Sequence, residues 1–265
     1  MGGVALLGVP LDENSSFLRG PAEGPARIRE ALRSPSANMA CEDGRELDRE
    51  PRFVDRGDLA LGTGEQAIEQ IRAGALERLR AGEALLSLGG DHSIVAPLVR
   101  AHAELHGPLT ILHVDAHPDL YDALDGNPRS HGSPFARIME EGLAQRLVQV
   151  GIRTLNAHQA EQAERFGVEI VDMRSFDPRA DLRLEGPLYV SLDLDALDPA
   201  FVPGVSHHEP GGLTTREAIG IVQRLPADAL VGADVVELNP TRDANGVTAM
   251  VAAKLVKELA SKLLG

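Results

Sequence analysis

Short apolar runs separated by polar, periodic stretches recur along the chain. The runs at 109–114 and 187–192 are mostly apolar and stand next to Gly-Pro pairs, a pattern typical of strands buried on both faces of a parallel sheet. The same reasoning predicts eight strands, at residues 4–9, 53–55, 85–88, 109–114, 147–152, 168–171, 188–193 and 230–236.

Helical patterns occupy the stretches between these strands. Pro25 suits the first turn of a helix, and Thr214 and Glu217 have the spacing of a capping box. Together with the apolar periodicity, these signals predict helices over residues 24–32, 65–81, 214–225 and 248–264. Strands that alternate with helices predict an α/β fold with three layers, α/β/α, around an eight-stranded, mainly parallel sheet.

Size and composition agree with a single domain over residues 1–265. The 265 residues are 43% apolar, which is enough for one core, and we find no internal repeat. The polar segment 34–52 lacks any period, so we expect a surface excursion there rather than a linker between domains.

Charge and cysteine content restrict the partners and the compartment. A formal net charge of −14 argues against nucleic acid and anionic membranes as partners, since both require a basic face. No apolar stretch reaches the ~18 residues that a membrane span needs, and the N-terminus lacks a basic signal region. Cys41 is the only cysteine, so no intramolecular disulfide can form. We therefore expect a cytoplasmic protein.

Carboxylates and imidazoles gather where two predicted strands end. Asp115, His117 and Asp119 follow one buried run, and Asp193 and Asp195 follow another. Open parallel sheets bind ligands at the carboxyl ends of their strands. Acids crowded into one crevice would repel each other strongly unless cations neutralised them. The two clusters therefore predict a metal site, with two metals as the first choice.

A third cluster supplies a further ligand. The run 85–88 leads into Gly89 and Gly90, which permit a tight turn, and then into His92. Carboxylates with some imidazole and no thiolate suit manganese or magnesium better than structural zinc. A single Asp-x-Asp pair is more often a helix cap or a solvated loop acid, but a core has no other use for three such sets at once.

These motifs resemble those of a known family. The segments Gly-Gly-Asp-His-Ser at 89–93, Asp-Ala-His-Pro-Asp at 115–119 and Ser-Leu-Asp-Leu-Asp-Ala-Leu-Asp-Pro at 191–199 resemble the three metal motifs of the ureohydrolases, the family of arginases and agmatinases. The resemblance spans the whole chain. The segments 203–213 and 248–254 are most similar to the plant-type arginases.

The resemblance implies an arginase-like fold that holds two Mn²⁺ ions per chain. Water between the ions would become the nucleophile, because the carbon of a guanidinium is a poor electrophile and needs a strong attacking group. The implied ligands are His92 and Asp119 for one ion, His117 and Asp195 for the other, and Asp115 and Asp193 as bridges.

Three residues receive catalytic roles from the same resemblance. Asp119 would relay a proton to the leaving amine. Glu237, which follows the strand at 230–236, would hold the substrate guanidinium by charge-assisted hydrogen bonds. His131, in the segment Ser-His-Gly-Ser, would shuttle protons, although a loop histidine considered alone is usually just exposed.

The far end of the substrate is less well specified. At the positions where animal arginases hold the α-amino acid group with an Asn, a Ser and an acid, this chain carries different residues. Two adjacent histidines follow the third motif. The resulting candidates for substrate binding are Tyr121, Asn127, Asn156, His207 and His208. Arg153 is either a partner for a carboxylate or a structural residue.

The resulting hypothesis is a manganese-dependent hydrolase that acts on a small cationic guanidino substrate. L-Arginine, cleaved to L-ornithine and urea, is the first choice. Agmatine, cleaved to putrescine and urea, is the close alternative, and another guanidino acid remains open. A non-catalytic, metal-binding regulatory homologue and a single-zinc deacetylase of related fold are remoter alternatives. The resemblance also implies a homo-oligomer, either a trimer or a hexamer.

Overall fold

A computed structural model describes residues 2–265. Each of the eight predicted strands is present, and the differences are confined to strand ends. The strands are β1 (Val4–Val9), β2 (Phe53–Asp58), β3 (Ala84–Gly89), β4 (Leu109–Val114), β5 (Ala144–Ile152), β6 (Glu169–Asp172), β7 (Leu188–Asp193) and β8 (Leu230–Val236).

The strands form one sheet in the order β2-β1-β3-β8-β7-β4-β5-β6. Every pairing in it is parallel, so all carboxyl ends lie at the same edge. The central strands β3, β8, β7 and β4 are consecutive in the sheet. The segments that follow these four strands therefore meet, and they carry all of the predicted site residues except Asn156, which follows β5.

Helices cover both faces of the sheet. One hydrophobic cluster joins the sheet to α1, α6 and α7, and the other joins it to α2, α3, α4 and α5, so the predicted three-layer fold is confirmed. Among the helices of residues 2–265, none combines the length and apolar composition that a membrane span requires. The helices are α1 (Gly24–Leu32), α2 (Glu65–Arg80), α3 (Val95–His106), α4 (Pro134–Glu140), α5 (Ala157–Phe166), α6 (Thr215–Gln223) and α7 (Val247–Leu264).

Four of these helices match the individual predictions, and three were not assigned from the sequence. The capping box at the start of α6 is present, because the Thr214 side chain accepts from the Glu217 N–H and the Glu217 side chain accepts in return. In contrast, α4 is a short helix, and α5 is mostly polar. Short or polar helices give weak periodicity, which explains why α4 and α5 escaped the sequence pattern.

The segment 34–52 is attached more firmly than a surface excursion would be. Cys41 and Leu47 are buried in the core beside α7, and the Glu42 N–H donates to the side chain of Glu258 at 2.9 Å. The apolar residues that anchor the segment are isolated from one another in the sequence, so no periodic pattern predicts their burial.

Gly90 connects the ends of three neighbouring strands. Its N–H donates to the Val9 carbonyl at 3.0 Å, and its carbonyl accepts from the Glu237 N–H at 2.9 Å. A Cβ atom at this position would overlap the Leu11 carbonyl. The turn that leads to His92 therefore requires glycine for reasons of space.

We expect Gly90→Ala to lower the free energy of unfolding by about 1–3 kcal/mol, because the added methyl group must displace backbone. Gly220→Ala is the matched control. Gly220 lies within α6 and would approach only the end of the flexible Arg224 side chain, so that variant should be neutral or more stable by up to about 1 kcal/mol. Urea denaturation measures both, and equal effects would contradict the close approach at Gly90.

Candidate metal centre and substrate cavity

The ring of His92 faces three carboxylates from two neighbouring strand ends. Its Nδ1 atom lies 3.0 Å from Asp119 Oδ2 and 3.2 Å from an oxygen of both Asp115 and Asp193. His92 is completely buried, and the three acids are nearly so. The structure thus brings together four of the six predicted metal ligands.

The remaining two predicted ligands form a second cluster beside the first. His117 Nδ1 lies 3.2 Å from Asp195 Oδ2 and 3.5 Å from Asp115 Oδ1. Since Asp115 Oδ2 faces His92, the two oxygens of Asp115 face different clusters. Backbone N–H groups hold the acids in place, as His117 N donates to Asp115 and Asp195 N donates to Asp193.

The spacing of these atoms fits divalent cations. Ligand atoms about 2.1 Å from a small cation lie roughly 3 Å from one another, and the observed separations are close to that value. Across residues 2–265, His92 Nδ1 is one of the few buried polar atoms that lack a hydrogen-bond partner. Two groups of His and Asp side chains have donor atoms close enough to share an ion. The residues present therefore fit metal binding.

Crowded negative charge perturbs the acids of both clusters. Burial, together with the charges of Asp195 and Asp115, raises the pKa of Asp193 well above its usual value. Burial and the charge of Asp115 raise the pKa of Asp119 to about 6. Both shifts record the free-energy cost of holding several carboxylates in one buried place, and bound cations would relieve that cost.

Two residues of the site adopt a backbone conformation that is uncommon outside glycine. Asp119 has φ 50° and Glu237 has φ 66°, both in the left-handed region. Residues in such conformations persist where the surrounding structure holds them and are concentrated at functional sites. The sequence carries no signal of this strain, because neither position is a glycine.

His131 and Glu237 form a buried pair beside the two clusters of His and Asp side chains. His131 Nδ1 lies 2.8 Å from Glu237 Oε1, and the same oxygen accepts from the His92 N–H at 2.9 Å. On its other side, His131 Nε2 lies 2.8 Å from the Ser16 hydroxyl. Burial disfavours the charged imidazole, but the charge and hydrogen bond of Glu237 outweigh it and raise the pKa of His131 to about 9.

A cavity of about 190 Å³ opens onto the clusters and onto this pair. Of the five candidates for substrate binding, Tyr121 and His207 line it directly. Asn156 reaches it through Tyr121, since Asn156 Nδ2 donates to the Tyr121 hydroxyl at 2.6 Å. The Asn156 side chain also accepts from the Gln159 N–H and caps α5, so it has a structural role as well.

The structure places the other two candidates outside the cavity lining. Asn127 lies in a turn, where its side chain accepts from the Arg129 N–H and donates to Asn14. His208 Nε2 lies 2.8 Å from the Pro203 carbonyl. Neither residue lines this cavity, because loop geometry decides where adjacent loop residues face, and their role in substrate binding stays a prediction.

Arg153 is a structural residue. Its guanidinium donates to the carbonyls of Glu209, Gly151, Ala196 and Asp195 at 2.6–3.1 Å. These bonds tie together the loops that follow β5 and β7. With its donors occupied by backbone, Arg153 is not free to bind a substrate carboxylate.

Several residues near the site were not identified from the sequence. Ser16, Leu124, Thr154 and Gln159 line the cavity, and these positions carry no motif. His113 is different, because its Nε2 lies 2.7 Å from Asp115 Oδ2. The alternation of His113, Asp115 and His117 along one strand end was a usable signal, since residues two apart share a face.

The pair of His131 and Glu237 predicts a pH-dependent stability. Because the pKa of His131 rises from an ordinary 6.5 to about 9 on folding, its stabilising effect is complete below 6.5 and is lost as the pH rises towards 9. In metal-free protein, we expect Glu237→Gln to be most destabilising at the acidic end of this interval and least at the alkaline end. Denaturation curves on either side of the interval measure the difference.

A background without a titrating group supplies the control for this prediction. In His131→Asn protein, the effect of Glu237→Gln should no longer depend on pH in this interval. A pH dependence that persists there would assign the titration to a different group.

The curated proteins with similar sequences include several arginases. The chain is 52% identical to "Arginase 1, mitochondrial" of Arabidopsis thaliana, over 98% of this chain and 80% of the relative. It is 50% identical to "Arginase 2, chloroplastic/mitochondrial" of the same plant, with the same coverage. Among solved structures, the arginase from Medicago truncatula matches with a TM-score of 0.90 and 44% identity, covering 99% of this chain and 87% of that one.

These relatives correct the predicted compartment. Their names place them in mitochondria or chloroplasts, which contradicts the expectation of a cytoplasmic protein. That expectation rested on the single cysteine, on an N-terminus without a basic signal region and on the lack of an apolar stretch that could span a membrane. The cysteine content and the lack of a span do not separate the cytosol from the interior of an organelle.

Family membership agrees with the geometry of the site. The sequence profile described as "Arginase family" matches residues 2–261, a range that contains every residue of both ligand clusters, Glu237 and His131. The chain belongs to the arginase family.

Proposed function

We propose that this protein hydrolyses the guanidino group of L-arginine and releases L-ornithine and urea. The observation that carries the proposal is the pair of ligand clusters joined by Asp115, which open with Glu237 into a single cavity. Family membership and about 50% identity to plant arginases support the same activity.

The clusters would hold two manganese ions. We assign His92 and Asp119 to one ion and His117 and Asp195 to the other, with Asp115 and Asp193 shared between them. The two oxygens of Asp115 face different clusters, whereas the sharing of Asp193 rests on the family resemblance. Carboxylate oxygen and imidazole nitrogen without thiolate favour manganese over structural zinc. When bound, the ions would supply a Lewis acid that activates water at neutral pH.

Glu237 is proposed to orient the substrate. Its Oε1 atom is occupied by His131 and by the His92 N–H, which fixes the carboxylate and leaves Oε2 to accept from the guanidinium N–H groups. Such charge-assisted hydrogen bonds are short and strong. They would present the guanidinium carbon to water at the clusters.

Proton transfer to the leaving amine is assigned to Asp119 and His131. Hydrolysis adds an oxygen to the guanidinium carbon and breaks its bond to the substrate's chain nitrogen, which must gain a proton to leave as an amine. Both side chains line the cavity. Asp119 belongs to the His92 cluster, while His131 contacts the Ser16 hydroxyl at the wall of the cavity.

Tyr121 is proposed to bind the substrate carboxylate. Its hydroxyl oxygen accepts from Asn156, so its own proton is free to donate into the cavity. Among residues 2–265, no lysine or arginine lines this cavity, and neutral donors such as Tyr121 and Ser16 must therefore hold any carboxylate. The same lack of a cationic partner favours agmatine, which has no carboxylate, as the second candidate substrate.

Assembly and domain organisation stay predictions. The resemblance implies a homo-oligomer, a trimer or a hexamer, and composition predicts one domain over 1–265. Analytical ultracentrifugation of the manganese-loaded protein measures the assembly directly. A monomer at all concentrations would contradict the expected trimer or hexamer.

Removal of one bridging acid tests the metal centre. We expect Asp193→Ala to lose bound manganese and to reduce urea release to background, because the clusters lose a shared ligand. Asp198→Ala is the matched control from the same motif. The Asp198 carboxylate accepts from the N–H groups of Ala200 and Gly211, so that variant should keep its manganese.

Metal analysis and urea assays on both variants check this outcome. Full activity of Asp193→Ala would overturn the site assignment. One zinc in place of two manganese ions in the wild-type protein would support the deacetylase alternative instead. Two manganese ions without hydrolysis of any guanidino compound would support the regulatory alternative.

Substrate choice is tested by urea release from L-arginine and agmatine at equal concentration. We expect a preference for arginine, and we expect Tyr121→Phe to raise the KM for arginine by about 10-fold or more, the effect of one hydrogen bond to a charged group. The KM for agmatine should change little, because agmatine has no carboxylate.

His208→Ala is the control for the substrate assay, because its ring lies outside the cavity lining. It should leave both KM values unchanged. A wild-type preference for agmatine would support the second candidate function. Equal effects of Tyr121→Phe on both substrates would remove Tyr121 as the carboxylate partner.

A further inference from the structure

A row of buried polar side chains crosses the centre of the sheet beneath the two ligand clusters. Five residues on five adjacent strands are partners in the strand register, in the sequence Ser87, Asp234, Ser191, His113 and Gln149. Each of them is completely buried. Burial of polar groups at this depth costs free energy unless they are hydrogen-bonded. We therefore expect the row to have a function.

The orientation of the Gln149 amide follows from its neighbours. Gln149 Nε2 lies 2.6 Å from the Pro118 carbonyl and 3.0 Å from His113 Nδ1. A carbonyl oxygen can only accept, so the amide nitrogen must face Pro118 and His113. His113 Nδ1 is then an acceptor, and the single proton of the neutral ring lies on Nε2.

This tautomer decides what His113 does at the site. By position His113 could be a metal ligand, because its ring lies within range of an ion shared with His92, Asp115 and Asp119. A ring nitrogen that carries a proton has no lone pair for a metal, however. His113 Nε2 instead donates to Asp115 Oδ2 at 2.7 Å.

We propose that Gln149 is a positioning residue that keeps His113 as a hydrogen-bond donor to Asp115 and thereby excludes it from the metal ligands. The inference rests on the metal centre of the proposed function. Asp115 is the acid whose two oxygens face both clusters, so a fixed donor behind it would orient both clusters at once.

Ser191, the next residue of the row, accepts a hydrogen bond from a histidine, whereas Gln149 donates one. The Ser191 hydroxyl donates to Asp234 Oδ1 at 2.8 Å, and it lies 2.8 Å from His92 Nε2. Since the only proton of Ser191 is committed to Asp234, Ser191 must accept from His92 Nε2. The lone pair of His92 is therefore on Nδ1, the atom that faces three carboxylates.

The row thus distinguishes two adjacent buried histidines. It presents an acceptor to His92, which leaves a lone pair for metal, and a donor to His113, which leaves a proton for Asp115. The ring of His113 stacks on Phe135 with centroids 3.9 Å apart. Stacking restrains the plane of the ring, and Gln149 selects which of its nitrogens carries the proton.

The first test compares two identical substitutions. We expect Gln149→Met to weaken Mn²⁺ binding by about 10–100-fold, the usual effect of losing a residue that supports a metal ligand. Gln162→Met makes the same change at another buried glutamine, in α5 and away from the cavity, and should leave binding unchanged. Competition with a manganese chelator gives the affinities, and Gln149→Met with wild-type affinity would overturn the proposal.

A double-mutant cycle tests whether Gln149 acts through His113. We expect His113→Phe to weaken Mn²⁺ binding to a similar extent, and the double variant to bind no more weakly than His113→Phe alone. Contributions that instead multiply would show two independent effects and would overturn the proposed link. A purely structural role of Gln149 would give that multiplied result.

Gln149→Glu keeps the shape of the side chain and guards against a variant that fails to fold. It replaces the donor by an acceptor, so it should also weaken binding at least tenfold, whereas a packing role predicts no change. Ser87→Ala is the control within the row, because the Ser87 hydroxyl is buried and finds no partner among residues 2–265. It should bind Mn²⁺ as the wild type does.

The two proposals fail in different ways. If the wild-type protein binds no manganese, the proposed function and this inference both fall. If the wild type binds manganese and hydrolyses arginine while Gln149→Met and Gln149→Glu retain full affinity, only the role of Gln149 is overturned.

Discussion

Mutual repulsion among buried carboxylates is the constraint on which the site depends. Asp115, Asp119, Asp193 and Asp195 lie at one edge of the sheet with almost no exposure to water, where like charges interact far more strongly than at a surface. Hydrogen bonds from the His113 ring to Asp115 and from the backbone N–H groups of His117 and Asp195 offset part of this cost. Bound cations would offset the rest, and metal binding and folding of this edge would then be coupled.

The order of strands creates this concentration of charge. Because β3, β8, β7 and β4 are parallel and adjacent, the residues that follow them converge although they are distant in sequence. The same burial on both faces leaves polar groups within these strands without access to water. These groups must form hydrogen bonds with one another across the sheet. Ser191 bonds to Asp234, and Gln149 bonds to His113, along one line of the sheet.

The sequence predicts the parts of this molecule whose signal is local. Buried strands are apolar runs, and the candidate metal ligands stand at their ends. The strands were therefore predicted from the sequence, and the structure brings the candidate ligands together. Other features depend on tertiary contacts, and no sequence pattern predicts them. They are the short helix α4, the left-handed backbone at Asp119 and Glu237, and the position of Asn127 outside the cavity lining. Gln149 is the clearest case, because its role depends on strand register with His113 and its own neighbours in sequence are apolar.

The cavity offers different charges to the two ends of a substrate. The inner end is lined by Asp119, Asp193, Asp195 and Glu237, so positive charge directs the guanidinium there. Arg153 is occupied by backbone carbonyls, so the opposite end relies on neutral donors that discriminate by hydrogen-bond geometry. Under the proposed function, recognition of the guanidinium is a property of the acidic edge of the sheet, whereas the choice between arginine and agmatine belongs to side chains such as Tyr121. A substitution there would leave the ligand clusters intact.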